Sequence, residues 1–151
     1  MNKKEIYEDL IKQVDSLTEG VDNPVAVMAN TSAAIASAFG FWWTGFYTVG
    51  NDGKMHLGPF QGPVARYTIP FGKGVCGTAW ERKETVVVPD VEQFPGHIAC
   101  SSISRSEIVV PVLRDDKVIA VLDIDSKDLA TFDETDRLYL EQLCKIISPR
   151  I

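Results

Sequence analysis

Glu107-Ile108-Val109-Val110-Pro111-Val112-Leu113-Arg114-Asp115-Asp116-Lys117-Val118-Ile119-Ala120-Val121-Leu122-Asp123-Ile124-Asp125 decides the fold, because it reads as two apolar, β-branched runs folded back on each other around a charged turn. The second run is apolar on both faces, with Val118, Ala120 and Leu122 on one and Ile119 and Val121 on the other, which predicts a central strand covered on both sides. It ends in Asp123 and Asp125, two residues apart and therefore on one face. Two readings stand: hydrated carboxylates where the strand meets water, or a paired-carboxylate pocket wall suited to an ammonium group or to a protonated acid. Glu107 joins them only if the register allows. A two-residue turn at Asp115-Asp116 would pair it with Ile124, on the opposite face. Asp-Asp is a poor turn of that length, and Pro111 sits awkwardly in a regular ladder. A bulge or a longer turn is therefore expected, bringing Glu107 beside the aspartates.

Outward from the hairpin, the spacing of Ile6, Leu10, Val14 and Leu17 predicts a first amphipathic helix. Asn23 and Pro24 open a second helix that should bury Val25, Met28, Ser32, Ile35 and Phe39 before Gly40 ends it. Strands are expected over 41–49 and 54–57 about an Asn51-Asp52-Gly53 turn, over 64–69 and over 85–88, with a short helix over 76–82. Thr131 and Glu134 have capping-box spacing ahead of a last helix with Leu140, Leu143, Cys144 and Ile147 on one side. An α+β architecture follows, a central antiparallel β-sheet with N- and C-terminal helices packed on it, and a single domain over 1–151. The 151 residues are 45% hydrophobic and 24% charged, and the net charge of -6 opposes a role that depends on neutralising phosphates. Nucleic acid is not expected as a partner. No run suits a signal sequence or a membrane span, which predicts a cytoplasmic protein without a membrane partner.

Three cysteines, an odd number, point away from a disulfide framework and toward thiol chemistry. Cys100 lies in a long aperiodic stretch after Thr85-Val86-Val87-Val88, beside Pro95, Gly96 and His97, where a reactive thiolate belongs. Cys144 reads as core. For Cys76 two readings remain: a thiol whose pKa is lowered by a helix N-terminus and Lys73, or a small buried residue in a tight turn. His97, Cys100 and Cys76 lack the second close pair of a structural zinc site, so no metal is expected, and Gly72-Lys73-Gly74 lacks the pattern of a phosphate loop. Trp42, Trp43, Phe46 and Tyr47 either wall a small pocket or belong to the core.

Gly72-Lys73-Gly74-Val75-Cys76-Gly77-Thr78-Ala79, Phe94-Pro95-Gly96-His97-Ile98-Ala99-Cys100, Ser104-Arg105-Ser106-Glu107-Ile108-Val109-Val110-Pro111 and Val121-Leu122-Asp123-Ile124-Asp125-Ser126, together with Gly58-Pro59-Phe60-Gln61-Gly62 and Val88-Pro89-Asp90-Val91, closely resemble the GAF-domain free methionine-(R)-sulfoxide reductases over nearly the whole chain. The resemblance implies a GAF fold, no cofactor, and an oxidoreductase whose Cys100 attacks the sulfoxide sulfur while a carboxylic acid protonates the departing oxygen. It implies that Glu107, Asp123 and Asp125 line the pocket for the free amino acid, that Trp43 and Tyr47 form the aromatic wall near the methyl and sulfoxide groups, and that Ile98 and Ala99 contact substrate. It also implies a homodimer. Two positions depart from the family: Arg66 stands where the resolving cysteine is expected, and Ser101 where an acidic residue would follow the attacking cysteine. Thioredoxin-linked recycling is thereby open to replacement by Cys76 or by a small-molecule thiol, and Arg66 is expected near Cys100, lowering its pKa. The alternative function is a non-catalytic GAF module that binds or senses a free amino acid.

Overall fold

The computed structural model describes residues 1–96 and 103–151. At its centre β5 (Ser106–Arg114) and β6 (Lys117–Ser126) form the expected antiparallel hairpin. Asp115 and Asp116 alone make the turn, with φ of 51° and 62°, the two left-handed values that match a two-residue turn to the twist of its strands. The expectation that Asp-Asp would resist this turn is corrected: aspartate visits the left-handed region more readily than most residues. The bulge is present as well. Leu113 faces Val118, but Val112 faces Ala120, so Ile119 is an extra residue on β6. That single slip carries Glu107 from Ile124 to Asp125.

Around the hairpin the strands run in the order β3-β2-β1-β6-β5-β4, each pair antiparallel, with β1 (Trp43–Val49), β2 (Lys54–Gln61), β3 (Thr68–Pro70) and β4 (Val86–Val88). The first and last long strands are neighbours, which puts β6 in the middle of the sheet as its two-sided apolar pattern requires. One face, carrying Phe46, Ile108, Val110, Leu122 and Ile124, is covered by α1 (Lys3–Thr18), α2 (Pro24–Phe39) and α4 (Glu134–Ile147). The other, with Tyr47, Val109 and Val121, is covered by α3 (Gly74–Arg82) through Val75, Cys76 and Ala79. This is the α+β architecture read from the sequence. Among the described residues no helix is long and apolar enough to cross a membrane.

Several details differ from expectation. In α1 the buried stripe is Tyr7, Leu10, Val14 and Thr18, leaving Leu17 exposed; in α2 it is Val27, Met28, Thr31, Ser32, Ala34 and Ile35, leaving Val25 exposed. The strand expected over 64–69 shrinks to Thr68–Pro70, while β2 extends to Gln61. The capping box of α4 is Asp133 and Asp136, not Thr131 and Glu134. Thr131 is engaged elsewhere, its hydroxyl 2.6 Å from that of Ser126.

Candidate active site

The register lays chemistry-bearing residues in two rows across the α3-covered face. Glu107 on β5 lies opposite Asp125 on β6, which lies opposite Trp43 on β1; one step along, Val109 faces Asp123, which faces Gly45. Directly opposed positions share a face, so the three carboxyls converge, with Asp123 diagonal to Glu107. Helix α3 completes the cluster from above. Gly77 sets its approach, since a Cβ there would lie 2.6 Å from the Pro70 carbonyl oxygen, and one turn of this close-packed helix brings Cys76 over the sheet. The Cys76 sulfur and one carboxylate oxygen each from Glu107 and Asp123 all lie within 4.8 Å of one another.

All three carboxyls are pushed well above the usual carboxylate range. Burial is the largest cause for each, followed by the neighbouring charge: Asp125 acting on Glu107, Glu107 on Asp123, and Asp123 on Asp125. Glu107 is hydrogen-bonded to both aspartates, which ties the titration of the three groups together. The Ser104 hydroxyl donates to Asp125 Oδ1 at 3.3 Å. Asp123 is 4% exposed and its Oδ1 is buried without a hydrogen-bond partner among the described residues. Such an arrangement suits a cationic group that brings several donors, and it keeps a carboxylic acid available as a proton donor.

Because these folded pKa values lie above those of the unfolded chain, near 4, the folded state binds more protons. The cluster's contribution to stability is complete below that range and is lost as pH rises through the folded values. Asp123→Asn, which keeps the shape and removes a charge, is therefore expected to stabilise the protein at pH 8 by about 1 kcal/mol, ~2–4 °C in Tm for a chain of this size. The gain should fade toward pH 4. Thermal melts of both proteins across that range check it; a lower Tm at pH 8 would contradict the assigned strain.

The aromatic wall is built from Trp43, Tyr47 and Phe60. The Trp43 ring stacks on Phe60 at 5.1 Å between centroids and on Tyr47 at 6.0 Å. Its Nε1–H donates to the Pro63 carbonyl at 3.0 Å, and the Tyr47 hydroxyl donates to the Arg66 carbonyl at 3.1 Å, which ties the chain between β2 and β3 to the wall. Gly45 makes this possible, because a Cβ there would lie 2.3 Å from Phe60 Cβ and 2.8 Å from the Trp43 ring. Phe46 is not part of the wall: it points into the helix-covered core. Trp42 is partly buried beside the cluster on the α3 side.

Burial, then Asp123, Glu107 and Asp125 in turn, pushes the Cys76 thiol well above its ordinary value. The reading of a pKa lowered by Lys73 and the helix N-terminus is thus corrected, since three carboxyls and the loss of water outweigh one lysine and a half-charge. Cys76 is buried, as its other reading had it. Cys144 is buried among the apolar residues of α4 and its thiol is likewise raised, by burial first. Sequence reading missed Ser104, which lies in an aperiodic segment, and Phe60, whose place opposite Gly45 follows from the β1–β2 register. Cys100, Ile98, Ala99, Ser101 and His97 lie outside the described residues, and so does the expected approach of Arg66 to Cys100. The Arg66 residue itself is exposed.

A family model described as a GAF domain matches residues 23–151. The structure superposes with a TM-score of 0.98 on the free methionine-R-sulfoxide reductase of Neisseria meningitidis, solved in complex with its substrate, at 51% identity over 99% of this chain and 90% of that one. The chain belongs to the GAF-domain free methionine-R-sulfoxide reductase family. Within that oxidoreductase family, it is 45% identical to the free methionine-R-sulfoxide reductase of Saccharomyces cerevisiae over 98% of this chain and 87% of the yeast protein. It is also 50% identical to GAF domain-containing protein A of Dictyostelium discoideum, over 97% of this chain and 92% of that protein.

Proposed function

We propose that the protein reduces free methionine-R-sulfoxide to methionine, with Cys100 as the attacking thiol and the Glu107–Asp123–Asp125 cluster as the site that receives the substrate. The observation that carries this reading is the convergence of three buried carboxyls, all pushed above the usual carboxylate range, beside an aromatic wall. The Cys100 thiolate attacks the sulfoxide sulfur, and a carboxylic acid of the cluster protonates the sulfoxide oxygen. The sulfur–oxygen bond breaks as the hydroxyl passes to Cys100; methionine leaves reduced by two electrons, and Cys100 is left as a sulfenic acid. Trp43, Tyr47, Ile98 and Ala99 surround the apolar end of the substrate in this reading.

A thiol must then convert the sulfenic acid to a disulfide, releasing water. Arg66 replaces the family's resolving cysteine. Cys76 is held protonated by burial and by the carboxyls around it, which opposes formation of the attacking thiolate. That favours an external thiol, thioredoxin or a small molecule, as the direct reductant of Cys100, with Cys76 as the internal route. Mixing fully reduced protein with free methionine-R-sulfoxide and no reductant tests both steps. One equivalent of methionine with a mass gain of about 16 Da is expected. A loss of about 2 Da would instead assign the recycling to a disulfide, Cys76 to Cys100. No methionine and no mass change from folded protein would overturn the enzyme reading in favour of a module that binds a free amino acid.

A further inference from the structure

We infer that Cys76, Glu107 and Asp123 form a three-ligand binding site for a zinc-class divalent ion. Their ligand atoms lie within 4.8 Å of one another. Tetrahedral zinc, with bonds of ~2.3 Å to sulfur and ~2.0–2.2 Å to carboxylate oxygen, sets its ligand atoms about 3.4–3.6 Å apart, so the three complete the set by drawing together by up to about 1.3 Å. The second observation is Asp123 Oδ1, which is buried and has no hydrogen-bond partner among the described residues, a lone-pair donor already stripped of water. A small cavity lined by Ile69, Lys73, Gly74 and Val75 reaches the same three side chains from the α3 side. Three protein ligands leave a fourth tetrahedral position open toward it.

The thiol decides which ion. Magnesium and calcium demand oxygen ligands, whereas one sulfur and two carboxylates suit zinc and cobalt. Binding must expel the thiol proton and any proton on the coordinating carboxyls, because metal ligands bind in their deprotonated form. Once formed, the site exchanges like-charge repulsion for attraction to the ion. An ion held there would occupy charges that the proposed function gives to the substrate, making zinc an inhibitor; that effect rests on the proposed function, while the site itself does not.

Cobalt reads the site without turnover. The full chain carrying Cys100→Ser, reduced, is titrated with Co2+ and followed by absorption. One equivalent should produce the near-ultraviolet cobalt–thiolate charge-transfer band, lost on adding Zn2+ and untouched by Mg2+. Adding Cys76→Ser should remove the band. Asp123→Asn, which keeps the thiol and the side-chain shape, should weaken binding by at least ~10-fold, since even outer-shell partners of a metal are worth that much. The absence of a thiolate band at saturating Co2+, a band that survives Cys76→Ser, or an affinity unchanged by Asp123→Asn would overturn the inference.

Discussion

N-acetylmethionine-R-sulfoxide is expected to be reduced at least ~10³-fold less efficiently, in kcat/KM, than the free amino acid. Acetylation turns an ammonium with three donors into a neutral amide with one. The carboxyl cluster has already left water, with Glu107 5% and Asp123 4% exposed, and one Asp123 oxygen has no partner among the described residues. Truncating one side of a buried, hydrogen-bonded charge pair costs about 2–5 kcal/mol, much of it from the charge left behind. The acetyl group also adds bulk, so a deaminated analogue, methylsulfinylbutyrate, separates charge from size. It is smaller than the substrate and should fall with the N-acetyl compound. Equal efficiency of the analogue and the free amino acid would remove the ammonium from the cluster. The pH dependence has a definite sign: the ammonium needs ionised carboxylates, whose folded pKa values are raised, so affinity should rise as pH increases through that range.

The convergence of these carboxyls was legible because it depends on strand periodicity and one register decision. Asp123 and Asp125 had to share a face, and the apolar run before them had to be central. Glu107 was harder, since both a clean two-residue turn and a bulge had local support; the protein uses both, and Ile119 as the extra residue settles the face. What local reading could not supply were effects between residues far apart in sequence. Cys76 follows a lysine at a helix start, yet its thiol answers to Glu107, Asp123 and Asp125. Phe60 belongs to the aromatic wall because Gly45 opposite it has no side chain, a fact visible only after β1 and β2 are aligned. Ser104 reaches Asp125 from a segment that carries no periodic signal.

The misjudged faces of α1 and the shifted capping box have one physical cause, and it implies a second large effect. Asp136→Ala is expected to destabilise the protein by about 3–5 kcal/mol, ~6–20 °C in Tm. Asp136 is 1% exposed and accepts three hydrogen bonds: from the Tyr7 hydroxyl at 2.5 Å, from Lys3 Nζ at 2.7 Å and from the Asp133 backbone N–H at 2.8 Å. Apolar content alone put Ile6 and Leu17 on the buried stripe of α1 beside Leu10 and Val14, which are buried as expected. The carboxylate of α4 instead selects Tyr7, whose ring stacks on Tyr139 at 5.4 Å and is tilted against Phe39 at 4.6 Å. The same carboxylate closes the Asp133 capping box, so α4 begins where α1 needs it to. Alanine would strand the fully buried Tyr7 hydroxyl and leave Lys3, one-third exposed, with Asp133 and the Thr131 carbonyl. Tyr7→Phe removes the donor and leaves the two bonds to Oδ2 in place, so it should cost less, about 1.5–3 kcal/mol. The double variant should be less destabilised than the two single effects added, because phenylalanine has no hydroxyl for alanine to strand. Urea unfolding of the four proteins measures the coupling. Additive effects, or a loss below about 1 kcal/mol for Asp136→Ala, would show that α1 is held by apolar packing rather than by this carboxylate.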